Sequence, residues 1–167
     1  CKIFTAVAAL KLIEQGKLTL DTKLFDHLDP EKLPGFSHEV TARHLLTHSS
    51  GITSYFEEDV NPEYEDLWQD TPMYTVRRPV DFLQKFTNPT QKFPPGEKFE
   101  YNDGGFILLG LLCELVSDME FPQLVQESVF DPAGMTDSGY FSTDQLPKNT
   151  AYAYIQNEDG SWRTNFF

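Results

Sequence analysis

The sequence is short of cysteines, of positive charges and of long hydrophobic stretches, and each shortage excludes a class of protein. The two cysteines, Cys1 and Cys113, form neither a disulfide framework nor a metal-spaced cluster. Thirteen Lys and Arg against 26 Asp and Glu leave a formal net charge of −13, which disfavours nucleic acid as a partner. The longest apolar run, residues 106–113, is well short of the roughly 20 residues that span a bilayer, so we predict no transmembrane segment.

The rest of the composition is that of a folded protein. A chain of 167 residues that is 40% hydrophobic and 23% charged fits one globular domain or a piece of a larger one. The chain opens on Cys1 inside a helical pattern, KIFTAVAALKLIEQG, and ends on the strand-like SWRTNFF without a closing turn. These ends predict that residues 1–167 are a segment of a longer protein, truncated on both sides.

Apolar periodicity and capping residues predict a mostly helical chain. Apolar residues fill nearly every position from Ile3 to Ile13, which predicts a helix buried on most faces and ended by Gly16. Thr41 is expected to cap a short helix that runs through His48.

The second half of the chain carries further helix signals and one hairpin signal. Pro79 suits the first turn of a helix that runs to about Phe86, and a short helix is predicted over 122–129. Asp103 is expected to cap the apolar helix GGFILLGLLCELVS. The stretch AYAYIQNEDGSWRTNF predicts a β-hairpin with its tip near Asp159-Gly160.

Residues 55–70, YFEEDVNPEYEDLWQD, are acidic and aromatic and have no clean period. This pattern is typical of an exposed loop or irregular helix that shapes a binding surface. The pattern alone does not indicate which ligand such a surface would bind.

Two histidines have the spacing of zinc ligands. His44 and His48 are four positions apart on the predicted short helix, so their imidazoles could share one metal ion. A zinc hydrolase motif of this type needs Glu directly after the first His, whereas Leu45 stands there. We therefore favour the alternative in which both histidines hydrogen-bond to nearby backbone or loop groups.

Two other places in the sequence could carry catalytic chemistry. Lys2 lies at the head of an apolar helix, where an ammonium group needs a partner or a lowered pKa, although a lysine at a helix end can also extend into solvent. Tyr101, Asn102 and Asp103 lie on a loop that enters a helix, where side chains can face a cavity and backbone amides can bind an anion. Taken locally, Asp103 could be only a helix cap and Tyr101 only a core aromatic residue.

Four stretches, in this order, resemble the serine β-lactamase and penicillin-binding-protein superfamily, especially its class C, D-alanyl-D-alanine carboxypeptidase and esterase branch. CKIFTAVAALKLIEQGKLTLD is similar to the helix that carries the end of the family's Ser-x-x-Lys motif. HLLTHSSGI resembles a helix-loop signature of the family, PPGEKFEYNDGGFILLG resembles the loop with its Tyr-x-Asn motif, and DPAGMTDSGY resembles the turn that follows. Together the matches cover nearly the whole chain.

The resemblance assigns roles to individual residues. Lys2 matches the lysine of Ser-x-x-Lys and Tyr101 the catalytic tyrosine, while Asn102 and Asp103 match the middle and last positions of Tyr-x-Asn and imply substrate binding. The nucleophilic serine would lie two residues before Cys1, and the family's Lys-Thr-Gly strand would lie beyond Phe167. Ser and Lys three positions apart share one face of a helix, so the amine can take part in removing the hydroxyl proton.

The resemblance also implies a fold and an activity. The fold would be α+β, β-lactamase/transpeptidase-like, with this chain as its mostly helical part. The full-length parent would be a serine hydrolase that acts through an acyl-enzyme on a β-lactam, a D-Ala-D-Ala peptide or a small ester, without metal or organic cofactor, and the fragment alone would be inactive. The alternative is a non-catalytic module that binds a peptide or cell-wall ligand. Many family members are extracytoplasmic.

Asp103 departs from the asparagine that is usual in the family. A carboxylate about 4 Å from the Lys2 amine would interact with it by roughly 4 kcal/mol at an effective dielectric constant of 20. We therefore expect such a pair to raise the pKa of Lys2 and to oppose the desolvation that makes the lysine a base. This departure is what keeps the non-catalytic alternative open.

Overall fold

The computed structural model describes residues 1–57 and 64–164. Four α-helices, one π-helical turn, five short 3₁₀ helices and one two-stranded sheet occupy the described residues. The helices are α1 Lys2–Glu14, α2 Ala42–Leu46, α3 Asp103–Ser117 and α4 Phe121–Val125, with the π-helical turn over Gln126–Phe130. The 3₁₀ helices are Leu24–Asp26, Pro30–Lys32, Tyr64–Trp68, Met73–Thr75 and Pro79–Lys85. The strands are β1 Tyr154–Gln156 and β2 Trp162–Thr164.

Helix α3 is the centre of the fold, because α1, α2, α4 and the 3₁₀ helix Pro79–Lys85 all pack against it. Its leucines at 108, 109, 111 and 112 are buried in the hydrophobic core. Gly104 permits a close approach of Phe86, which follows the 3₁₀ helix, since a Cβ at position 104 would lie 2.9 Å from the Phe86 ring. No helix in residues 1–57 and 64–164 combines the length and the apolar content needed to cross a membrane.

The N-terminal capping residue of α3 is Asn102, and the prediction that Asp103 caps this helix is wrong. The Asn102 side-chain oxygen accepts a hydrogen bond from the backbone N–H of Gly105 at 2.8 Å, and Asp103 is the first helical residue. Both residue types can cap a helix. Asn102 takes the position because its amide group also donates to the Ile52 carbonyl at 2.6 Å, a contact that a carboxylate cannot make.

Helix α1 forms where its apolar pattern predicts it, but it is not buried on most faces. Thr5, Ala8, Ala9 and Leu12 form its buried face. Ile3 and Leu10 are 68% and 49% exposed. A helix that is apolar on every side can therefore pack on one side only within this chain.

The remaining predicted elements are largely confirmed. Thr41 caps α2, which ends at Leu46 rather than at His48, and His48 follows in a left-handed conformation with φ of +53°. The segment from Pro79 is helical as predicted, in 3₁₀ form. The hairpin pairs Tyr154 with Thr164 and Gln156 with Trp162, and its turn contains Gly160 at φ of +82°.

Candidate active site

Two helix N-termini bring Lys2 and Asp103 together. Lys2 is the first residue of α1 and Asp103 the first residue of α3, and the Lys2 Nζ donates a hydrogen bond to the Asp103 carboxylate in an ion pair. The same Nζ lies 5.0 Å from the centre of the Tyr101 ring and 6.0 Å from that of Phe106. Lys2, Tyr101 and Asp103, three of the four site residues predicted from the sequence, therefore lie together.

The environment of Lys2 favours its charged form. Partial burial lowers the pKa of the amine, but the hydrogen bond and charge of Asp103, together with the interaction with Tyr101, outweigh burial and raise the pKa above the ordinary lysine value. Lys2 is thus cationic at neutral pH in this arrangement. The sign agrees with the expectation that a carboxylate at position 103 opposes desolvation.

Asn102, the fourth predicted site residue, points into the protein. Its side chain is buried and holds Ile52 and Gly105, as described above. The neighbouring backbone N–H of Gly104 donates to Ser54 Oγ at 3.2 Å. The loop that carries Tyr101 and Asp103 is therefore fixed to the segment 52–54, and the role of Asn102 in substrate binding stays a prediction.

His44 and His48 do hydrogen-bond to nearby groups, which is the alternative favoured over zinc. His44 Nδ1 accepts from the backbone N–H of Thr41 at 3.2 Å. His48 Nδ1 accepts from the backbone N–H of Asn102 at 3.1 Å, and its ring lies against Tyr101 at a centroid distance of 4.7 Å. The two imidazoles thus have separate partners, and only His48 adjoins Lys2 and Asp103.

A cleft of about 670 Å³ opens beside the Lys2–Asp103 pair. Aromatic rings form much of its walls, and those rings belong to Tyr55, Phe82, Phe106, Phe121, Tyr140 and Phe141. Lys2, Asp103, Arg77 and Arg78 are among its charged lining residues. The cleft can therefore hold an apolar or aromatic group next to a fixed ammonium.

Two arginines on the cleft wall are held by carboxylates. The Asp81 carboxylate accepts hydrogen bonds from the backbone N–H groups of Arg77 and Arg78 at 2.9 and 2.8 Å. The Arg77 guanidinium pairs with Asp144 at 2.7 Å, and that of Arg78 pairs with buried Glu114 at 3.3 Å. Both guanidinium groups are thereby fixed in direction and partly neutralised.

The sequence did not identify most of the cleft wall. The acidic and aromatic stretch 55–70 was expected to shape a binding surface, and Tyr55 lines the cleft; residues 58–63 of that stretch lie outside the described residues. The dipeptide Arg77-Arg78 before a helix-starting proline was the available signal for the two guanidinium groups. For His48 the sequence predicts a hydrogen bond to a nearby backbone or loop group, but its contact with Tyr101 has no local signal.

Known proteins similar to this chain point to one family. The family model described as Beta-lactamase matches residues 1–165. Penicillin-binding protein 4* of Bacillus subtilis is 30% identical over 158 residues, which cover 92% of this chain and 33% of that protein. The crystal structure of a penicillin binding protein from Bacillus halodurans is 53% identical with a TM-score of 0.88, covering 99% of this chain and 49% of that one.

A third comparison supports the fold alone. The crystal structure of a D-stereospecific amidohydrolase from Streptomyces sp. superposes with a TM-score of 0.77 at 23% identity, covering 98% of this chain and 49% of that one. The chain spans about a third of the curated relative and about half of each solved structure. Its helices and hairpin form part of an α+β, β-lactamase/transpeptidase-like fold. The chain belongs to the Beta-lactamase family, within the serine β-lactamase and penicillin-binding-protein superfamily.

Proposed function

We propose that residues 1–167 are the helical part of a serine hydrolase domain whose full-length protein forms an acyl-enzyme with an amide or ester. The observation that carries this proposal is the placement of the Lys2 ammonium against both Asp103 and Tyr101 at the edge of an aromatic-walled cleft. The nucleophile would be a serine two residues before Cys1, on the same helical face as Lys2. A Lys-Thr-Gly strand beyond Phe167 would face it.

The proposed acylation is a proton relay through Tyr101. The serine Oγ attacks the substrate carbonyl carbon, and its proton passes to the phenolic oxygen while the phenolic proton passes to the leaving nitrogen or oxygen. The bond to the leaving group then breaks and the acyl group stays on the serine. Water repeats the attack to release the acid and restore the hydroxyl.

In this scheme Lys2 acts as a cation. Its ammonium lies beside the Tyr101 ring and stabilises negative charge that develops on the phenolic and serine oxygens during proton transfer. Asp103 keeps the amine protonated and fixes its position, because the carboxylate both pairs with it and raises its pKa. Tyr101 is 61% exposed, so its hydroxyl group is accessible to a substrate that lies beside Lys2.

The substrate classes that suit this architecture are β-lactams, D-Ala-D-Ala peptides and small esters. The names of the two penicillin-binding relatives support a β-lactam or a peptide that resembles one. The aromatic cleft supports an acyl group with an apolar or aromatic side chain.

A second candidate function is a non-catalytic module that binds a peptide or cell-wall ligand. The Lys2–Asp103 ion pair favours this alternative. A lysine that stays protonated in an ion pair cannot serve as the general base that removes the serine proton. A module of this kind would bind its ligand reversibly and form no acyl-enzyme.

Covalent labelling separates the two functions. We expect the full-length protein to be labelled by a fluorophosphonate probe and by fluorescent penicillin, and to hydrolyse nitrophenyl acetate. Replacing the serine two residues before Cys1 with alanine should abolish labelling, and residues 1–167 alone should remain unlabelled. Saturable penicillin binding that is reversed by denaturation would support the binding module, and labelling of residues 1–167 would contradict the assignment of the nucleophile.

A further inference from the structure

His48 holds the residues on both sides of Tyr101. Its backbone carbonyl accepts a hydrogen bond from the N–H of Glu100 at 2.8 Å, and its ring Nδ1 accepts one from the N–H of Asn102 at 3.1 Å. One residue therefore binds the chain directly before and directly after the tyrosine. No local sequence signal joins position 48 to this loop.

The imidazole also packs against aromatic rings of the site. Its centroid lies 4.7 Å from the Tyr101 ring at an interplanar angle of 35°, and 4.9 Å from the Phe106 ring at 33°. Such tilted stacking fixes the plane of the tyrosine ring as well as the position of its backbone. The His48 backbone adopts φ of +53°, a left-handed conformation in which histidine is enriched among residues other than glycine.

The hydrogen bond from Asn102 fixes the protonation state of the ring. Because Nδ1 accepts a proton from a backbone amide, it carries no hydrogen of its own, and the hydrogen of the neutral ring is on Nε2. An imidazolium has hydrogens on both nitrogens and could not accept this bond. The contact between His48 and the loop therefore requires neutral histidine.

The charged groups around the ring favour that neutral form. Burial and the positive charge of Lys2 lower the pKa of His48, and the hydrogen bond with Asn102 and the Asp103 carboxylate oppose this shift without cancelling it. Within residues 1–57 and 64–164, the titratable groups that face the ring are Lys2 on α1, Asp103 at the start of α3, and Tyr101 on the loop.

We propose that His48, as the neutral Nε2–H tautomer, is a positioning residue that holds Tyr101 in place beside Lys2. This inference rests on the proposed function, because it assigns His48 to the reaction through the tyrosine. His48 itself touches no reacting atom. Protonation of His48 releases the N–H of Asn102 and lets Tyr101 move out of alignment.

Two substitutions in the full-length protein distinguish the effect of the Nδ1 hydrogen-bond acceptor from the effect of the ring stacking. His48→Asn keeps an acceptor near the place of Nδ1 and tolerates the left-handed backbone, but it cannot titrate. His48→Phe keeps an aromatic ring and loses the acceptor, and because it also places a bulky side chain at φ of +53°, its folding is verified by circular dichroism before its rate is compared. His27→Asn, which replaces an exposed histidine of the same chain, is the matched control.

The rate of fluorophosphonate labelling is the first readout. A tyrosine displaced by about 1 Å can slow a reaction about 100-fold, so we expect a loss of this order in His48→Phe and recovery of most of the rate in His48→Asn. In the wild type the rate should fall at acidic pH with a midpoint below the ordinary histidine pKa, because the pKa of His48 is lowered, and this fall should be missing in His48→Asn and unchanged in His27→Asn. Equal rates in the two His48 variants, or an acidic fall that survives in His48→Asn, would overturn the proposal.

Nitrogen NMR of ¹⁵N-histidine-labelled protein is the second readout, and it does not depend on activity. The His48 signals, assigned by their loss in His48→Asn, should show an unprotonated Nδ1 and a protonated Nε2 at pH 7.5. An Nδ1–H tautomer or a doubly protonated ring would overturn the proposal even if His48→Phe fails to fold. If the wild type is never labelled, the hydrolase function fails, while the tautomer still decides whether His48 holds the loop.

Discussion

Lys2 and Asp103, which are 101 positions apart in the sequence, form an ion pair between the first residues of α1 and α3. Each side chain is partly exposed, so solvent screens the pair and its contribution to stability is small. Its chemical effect is on the lysine, whose pKa it raises against the opposing effect of burial. The pair therefore sets the charge of the site more than it holds the fold together.

Asp103→Asn tests that effect. Lys2 keeps its proton to a higher pH because of Asp103, so an activity that needs the cation is present below the lysine pKa and lost as pH rises through it. Removing the carboxylate lowers this pKa and should move the alkaline limb of the labelling-rate profile to lower pH. Glu39→Gln removes the 2.8 Å partner of exposed Lys23 and should leave the profile unchanged. An unshifted limb in Asp103→Asn would mean that Lys2 does not govern the reaction.

Tyr101→Phe should abolish covalent labelling while the protein stays folded. The exposed ring keeps its stacking on His48 after the change, and only the hydroxyl group of the relay is lost. Loss of a positioned proton-transfer group costs about 100- to 10,000-fold in rate. Tyr74→Phe, another exposed tyrosine, is the control and should label normally. Undiminished labelling of Tyr101→Phe would remove the tyrosine from the mechanism.

Asn102→Ala should destabilise the full-length protein. It removes the cap on Gly105 and leaves the Ile52 carbonyl without its donor, and each loss costs about 1 kcal/mol or more in the free energy of unfolding. Asn102→Asp keeps the capping oxygen but cannot donate to Ile52, so it should also be less stable than the wild type. Urea denaturation measures both. Wild-type stability of Asn102→Asp would show that the Ile52 contact has no energetic role.

Glu114→Ala should be more costly than Glu120→Ala, although both carboxylates pair with Arg78. The Glu114 side chain is 4% exposed and also accepts from the N–H of Phe121 at 2.7 Å, whereas that of Glu120 is 62% exposed. Removing the buried partner should cost about 3 kcal/mol or more, and removing the exposed one less than about 1 kcal/mol. Equal free energies of unfolding for the two variants would contradict this difference in burial.

Features that depend on local signals could be predicted from the sequence. Thr41 begins α2 because its hydroxyl accepts from the first turn, and Gly160 occurs at the hairpin turn because φ is positive there. The pKa of Lys2 is raised, as the Coulomb interaction with Asp103 predicts once the family resemblance brings the two residues together. In these places the deciding interaction involves neighbours in the sequence or a known motif.

Other features depend on residues far apart in the chain. Asn102 rather than Asp103 caps α3 because of the Ile52 carbonyl, 50 positions away. The exposure of Ile3 and Leu10 depends on which elements pack against α1, which an apolar pattern cannot specify. The cleft walls come from separate segments, so no single stretch carried their signal.

The packing of α1 against α3 also affects the position of the Lys2 ammonium. Ala8 and Ala9 are fully buried on α1, and side chains this small let two helices approach closely. Ala9 lies seven positions after Lys2, which is about 10 Å along the helix axis. We expect a bulkier residue there to disturb the packing of α1 against its neighbouring helices and so to shift the ammonium relative to its carboxylate. A substitution at Ala9 could thus change the electrostatic environment of Lys2 without altering any side chain that lines the cleft.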